Sequence, residues 1–171
     1  VLLIDQHAAH ERVLYEQLRT KYAAKEQMTA FALTTPCILT LDLRDAQILT
    51  EHLEELQQLG FAIESFGSVA FQVSAVPDLL QDRDPETLLK ELLDDLDEGK
   101  PISLADSAAE RTIAYLSCRN AVKAGDVLEP AQRLELIKQL SQCQNPHSCP
   151  HGRPTSITIS IAELEKRFHR S

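Results

Sequence analysis

The sequence predicts an α+β fold in two units. One is assembled from both chain ends, residues 1–36 and 101–171, and one is inserted between them, residues 37–100. Three observations predict it. Runs that read as strands are mixed along the chain with segments of helical periodicity. The middle reads strand–helix–strand–strand–helix, a set that can close on itself. Charge divides at the same places: residues 1–36 are net 0, residues 37–100 are net −11, and residues 101–171 are net +2.

Taken in order, "VLLIDQ" (1–6) is an apolar run and reads as a buried strand. From His7 to about Lys21, Val13, Leu14 and Leu18, with Tyr15 and Tyr22, fit a helix. "FALTTPCILTLDL" is β-rich and interrupted by Pro36. Asp45 precedes a helix with Leu49, Leu53 and Leu56 at helical spacing, closed by Gly60. "FAIESF" and "VAFQVSAV" flank Gly67-Ser68, a hairpin signal. Pro85 opens an acidic amphipathic helix that ends near Gly99. Ser107-Ala-Ala-Glu110 is a capping-box pattern, and the helix it starts carries Ile113, Leu116 and Cys118. Pro130 starts another helix through Leu134 and Leu140. "SITISIAELEKRF" reads as a strand running into a short final helix.

Composition bounds the function. The 171 residues, 43% of them hydrophobic, suffice for one ordinary domain or two small subdomains. No apolar run approaches the roughly eighteen residues that a membrane-spanning helix needs. Val1 opens in mid-strand with no basic leader region, which reads as an excerpt from a longer chain. Four cysteines without a secretory signal point to a reducing compartment, where cysteines hold metal or do chemistry. The net charge of −9 looks wrong for a nucleic-acid protein, but the acidity is confined to the middle.

Two stretches concentrate chemistry. "DQHAAHERVLYE", Asp5 to Glu16, packs two histidines, three carboxylates and an arginine where a strand hands over to a helix. His7 and Glu11 are four apart and share a helix face, so an imidazole and a carboxylate could grip one cation; the plain alternative is a surface pair. His10 reads as a solvated histidine. Asp5 is either a helix N-cap or a carboxylate at the carboxyl end of a strand, a usual place for site residues. "SCPHGRPT", Ser148 to Thr155, places Cys149 and His151 two residues apart, and sulfur plus nitrogen favours zinc over magnesium. Gly152 and Pro154 suit a fixed loop, and Arg153 could hold a phosphate. The plain alternative is a core cysteine beside a loop histidine. Cys118 and Cys37, taken alone, read as buried small hydrophobes. Cys143, His147 and Cys149 invite a zinc-knuckle reading, against which no second ligand pair follows.

The combination resembles a known family. "DQHAAHERVLYE" fits D-Q-H-A-x2-E-x4-E through Asp5, His7, Glu11 and Glu16. "SCR" (Ser117 to Arg119) is similar to A-C-R, "CPHGRP" (Cys149 to Pro154) matches throughout, and "FHR" (Phe168 to Arg170) fits F-x-R, all in order. The chain resembles the C-terminal domain of MutL mismatch-repair proteins of the nicking type, over essentially its whole length. The resemblance implies a latent metal-dependent DNA endonuclease that forms a homodimer, the end-built unit being the dimerisation subdomain and residues 37–100 an external regulatory one. It implies a metal set of His7, Glu11, Cys118, Cys149 and His151, with Asp5, Glu11 and Arg153 in catalysis and Glu16, Arg119, Phe168 and Arg170 in support. It also implies structural or regulatory zinc, and manganese or magnesium for nicking. The implied partners are duplex DNA, held weakly by this acidic domain alone, MutS, and a sliding clamp; ATP would bind an N-terminal domain beyond this sequence. The implied setting is the bacterial cytoplasm, at the nucleoid. One departure concerns the clamp motif Q-x-x-[LI]-x-P. Near Pro36 the chain reads Phe31-Ala-Leu-Thr34-Thr-Pro36, without the glutamine or the aliphatic anchor. The competing expectations are a non-catalytic dimerisation module with a structural zinc site and, from the ligand set alone, a zinc hydrolase for small substrates.

Overall fold

A computed structural model of the chain describes residues 1–26, 28–97 and 107–169. The two chain ends meet in a short antiparallel ribbon. β1 (Leu2–Ile4) pairs with β5 (Ser156–Thr158), Leu3 lying opposite Ile157. Around it lie α1 (Gln6–Ala23), α5 (Ala108–Asn120), α6 (Pro130–Gln142) and α7 (Ile161–Arg167). The middle of the chain supplies β2 (Ala30–Thr40), β3 (Ala62–Ser65) and β4 (Ala70–Pro77), an antiparallel sheet in the order β2-β4-β3. It also supplies α2 (Leu43–Glu51), α3 (Leu53–Gln58), a 3-10 turn at Asp78–Leu80, and α4 (Pro85–Asp97). The mixture of helices and sheets is the α+β class that the sequence predicts.

Local chemistry explains most boundaries. Ser107 caps α5 by accepting from Glu110 N–H, half of the anticipated capping box. Pro130 opens α6, and Gln132 Oε1 accepts from the Glu129 N–H just before it. Gly60 ends α3 with φ +96°, where a Cβ would meet the Thr29 carbonyl at 3.2 Å. Pro36 has no N–H to give a ladder, and the β2–β4 register shifts between Ala32 and Cys37. β2 thus runs on both sides of position 36, where the two units were expected to divide. The single helix expected after Asp45 is two: it breaks at His52, and Leu49 and Leu56 of the two pieces are both buried.

The main core joins Leu39, Phe71 and Val73 of the sheet to Leu88 and Leu92 of α4, Ile113 and Leu116 of α5, and Tyr15 and Leu18 of α1. Each buried Leu or Phe contributes about 1.5–3 kcal/mol. A second, small cluster of Ala9, Val13 and Leu140 lies between α1 and α6. α1 is therefore fixed on two sides, and its first turns are buried at Ala8, Ala9 and Glu11. Arg119 ends α5 in an ion pair with Glu91 of α4 at 2.9 Å and lies over the Tyr115 ring at 5.1 Å. Among the described residues no helix is long and apolar enough to cross a membrane.

Candidate metal centre

The first turn of α1 is set by Asp5. Its Oδ1 accepts from the N–H groups of His7 (2.9 Å) and Ala8 (3.2 Å), and its own N–H donates to the Thr155 carbonyl at 2.9 Å. A cap of this kind contributes about 1 kcal/mol. Both side-chain bonds use Oδ1, so Oδ2 has no protein partner among the described residues. From this start, the four-residue spacing brings His7 and Glu11 onto one face.

His7 is oriented by the segment after α5. Its Nδ1 lies 2.9 Å from the Val122 carbonyl, which can only accept, so Nδ1 is the donor there and Nε2 is the ring nitrogen left for a ligand. The Val122 N–H in turn donates to His10 Nδ1 at 3.0 Å. His10 is therefore not the solvated histidine that the sequence suggests. It is half-buried, and burial, with a smaller push from His7, holds its pKa below the usual value. Gln6 adds bonds to the carbonyls of Lys123 and Asp126.

Cys149 and His151 stand on a tight turn. The Gly152 N–H donates to the Cys149 carbonyl, the Cys149 N–H donates to the Arg153 carbonyl, and Gly152 takes φ +81°, a conformation that suits glycine. The turn is anchored from α1 and from Thr155. Glu16 accepts from the N–H groups of Gln144 (2.6 Å) and Asn145 (3.0 Å). Arg12 Nε donates to the Ser148 carbonyl at 2.5 Å. Thr155 Oγ1 donates to the Pro146 carbonyl, and its N–H donates to that of His147.

The ligand atoms of His7, Glu11 and Cys118 all lie within 4.8 Å of one another, and so do those of Glu11, Cys149 and His151. Glu11 belongs to both sets. Its side chain has no exposed surface, and neither oxygen has a hydrogen-bond donor in good alignment, although Oε1 lies 2.6 Å from His151 Nδ1. Burial alone would raise its pKa; contacts with His151 and the two cysteines outweigh that and hold it below the usual range. His151 moves the other way, pushed up to about 9 by Cys149 and Glu11. Burial, then the Glu11 charge, pushes the Cys118 thiol up to about 11. Two cysteines, two histidines and a shared carboxylate are a donor set that suits zinc, and a buried carboxylate whose close partner, His151, is itself a candidate ligand is a group that a cation could bind. The five residues fit a metal.

The other expected site residues stand outside the two ligand sets. Arg153 is exposed on the turn, and its charge favours the Cys118 thiolate. Phe168 is 73% exposed at the end of α7, and Arg170 lies outside the described residues. Cys143 and His147 join neither ligand set among the described residues; Cys143 caps α6 instead. Sequence reasoning missed Arg12, whose only signal was its place inside the first motif, and the Val122 backbone, which has none.

Comparison with known proteins identifies the family. Residues 1–128 match the family described as the MutL C terminal dimerisation domain. The DNA mismatch repair protein MutL of Agathobacter rectalis is 39% identical over 168 residues, 98% of this chain and 26% of that protein. That of Desulforudis audaxviator is 39% identical over 169 residues, 98% of this chain and 29% of the relative, and that of Methanoculleus marisnigri is 39% identical over 173 residues, 98% and 28%. The chain thus spans about a quarter of the length of the relatives it matches. By this match and these identities the chain belongs to the MutL C-terminal dimerisation domain family.

Proposed function

We propose that this domain is the homodimerising, metal-dependent DNA-nicking part of a mismatch-repair protein. One observation carries the reading: Glu11 is a fully buried carboxylate without an aligned donor on either oxygen, ringed by His7, Cys118, Cys149 and His151. Its close partner, His151 at 2.6 Å, is itself a candidate ligand, so a divalent cation would draw on both. His7 through Nε2, Glu11, Cys118, Cys149 and His151 would hold zinc in a structural or regulatory role, with manganese or magnesium serving catalysis. When bound, metal ions neutralise the scissile phosphodiester and supply a nucleophilic water at neutral pH. The chain's residues would do the rest. Glu11 serves both ligand sets, Asp5 keeps Oδ2 free to orient a water, and Arg153 takes a phosphate oxygen from its exposed position.

The homodimer reading is supported by apolar side chains that stand exposed on the elements of the end-built unit. Leu2, Leu3, Ile157, Ile161 and Leu134 are 47–72% exposed there, surface that a second copy would cover. The acidic middle, net −11, argues that DNA is held mainly by other parts of the whole protein. Contacts with MutS, with a sliding clamp through the altered stretch at Pro36, and with ATP belong to that whole protein and are part of the same proposal. So are the cytoplasmic, nucleoid-associated setting and the division into an end-built and an inserted unit, with β2 crossing the boundary expected at residue 36.

The test is metal content by mass spectrometry beside supercoiled-plasmid nicking, on the full-length protein and on the domain, in manganese and in magnesium. Zinc in the preparation and metal-dependent nicking are expected. Zinc without nicking would instead support a non-catalytic dimerisation module with a structural zinc site. The absence of both zinc and nicking would sink the proposal.

A further inference from the structure

Arg12 is a buried charge that the ligand sets do not use. It is 2% exposed, and its Nη2 has no hydrogen-bond partner. A methionine or leucine would fill the same space without burying a charge. What an apolar residue could not do is what the other guanidinium atoms do. Nε donates to the Ser148 carbonyl, the residue before Cys149, at 2.5 Å. Nη1 lies 3.7 Å from Glu16 Oε1, and the guanidinium sits 5.4 Å from the Tyr15 ring centroid. Glu16 meanwhile accepts from the N–H groups of Gln144 and Asn145. Arg12 and Glu16, one helical turn apart on α1, therefore hold the loop at residues 144, 145 and 148, directly before its ligands. Glu11, the carboxylate that those ligands face, is the residue beside Arg12 in the chain.

We propose that Arg12 is the positioning residue of the loop-borne ligands. Held by Glu16 and Tyr15, it fixes the Ser148 carbonyl and so sets Cys149 and His151 against Glu11 before a metal arrives. This rests on the reading of the site as a metal centre. Ligands held in place bind tightly because no ordering entropy remains to be lost, and loss of an orienting partner typically costs about 10–100-fold in metal affinity.

The test uses the whole domain, with zinc and cobalt(II) as probes. Arg12→Lys keeps the charge and loses the planar fork; Arg12→Met keeps the bulk and loses the charge. Both should bind zinc about 10–100-fold more weakly in a chelator competition. In the cobalt form, the thiolate-to-metal absorption should weaken. A merely structural role would lower the melting temperature equally with and without zinc. Positioning instead shrinks the rise that zinc produces. Unchanged zinc affinity and an unchanged cobalt spectrum in both variants would overturn the proposal. A wild type that binds neither probe would show instead that the metal reading has failed. Should both variants unfold, hydrogen exchange on the metal-free wild type decides. The Arg12 Nε proton should be protected before metal is added, and rapid exchange there would overturn the proposal.

Discussion

His7, Glu11 and Cys118 stand on two packed helices, whereas Cys149 and His151 stand on a turn. The helical ligands are placed by backbone that is itself buried: α1 lies between α5 and α6, with Ala8 and Ala9 fully enclosed. The turn is placed by a handful of bonds from Arg12, Glu16 and Thr155. Disturbing the first half threatens the core, while disturbing the second can loosen two ligands and leave the fold standing. Glu11 is the only residue shared by the two ligand sets found among the described residues.

The largest expected effect follows from that sharing. Glu11→Ala should strip bound zinc and lower nicking by at least about a hundredfold, since it removes a group from both halves. Metal analysis and plasmid nicking on one preparation check this. If stoichiometry and rate both persist, the halves do not meet at Glu11.

Asp5→Asn comes next and separates capping from chemistry. Asparagine caps about as well as aspartate, so folding should change by only a few tenths of a kcal/mol and zinc should stay bound. If the charge acts on the reaction, nicking falls by roughly a hundredfold. Calorimetric melting beside plasmid nicking reads both, and wild-type nicking would leave Asp5 as a cap alone.

Proton balance sharpens the comparison further. In the metal-free protein His151 is raised to about 9, above its ordinary 6.5, by Cys149 and Glu11. Its contribution to folding is therefore fully present below pH 6.5 and is lost as pH rises through about 9. Zinc needs a neutral imidazole and thiolates, so zinc affinity should rise over the same window, by about tenfold per pH unit for each proton released. Melting temperature should thus fall with pH without zinc, and the increment due to zinc should grow. Titration calorimetry in buffers of different ionisation enthalpy should detect proton release from His151 and from the Cys118 thiol; zinc binding without it would contradict the ion-paired ground state.

The smallest effect lies away from the centre. Glu91 accepts from Tyr115 Oη at 2.7 Å and pairs with Arg83 at 3.0 Å and Arg119 at 2.9 Å, tying α4 to α5. Glu91→Gln should cost about 1–2 kcal/mol in urea unfolding and leave zinc affinity unchanged. A large loss of zinc would mean that Arg119 supports the centre through this link.

Most of the architecture was legible because it is local. Periodicity, Pro130, Gly60 and the Ser107 cap mark the helices, and Gly67-Ser68 marks the hairpin. The break at His52 was not legible, because the periodicity of Leu49, Leu53 and Leu56 continues through it. At the centre, spacing joins His7 to Glu11 and Cys149 to His151, but it cannot bring Cys118 to either pair. Only the order of motifs in a resembling family suggested that. Arg12 on Ser148, and the two histidines on Val122, were invisible because their partners are backbone groups more than a hundred residues away, and backbone carries no sequence signal.

The central claim is that the helical and turn-borne halves form one centre through Glu11. A double-mutant cycle in zinc affinity tests it most directly, using Cys118→Ser for the helical half and Cys149→Ser for the turn. If the halves are joined, the two losses are non-additive, with a coupling of about 1 kcal/mol or more. If the losses simply add, the two sets of ligands act independently and the account of a single centre is wrong.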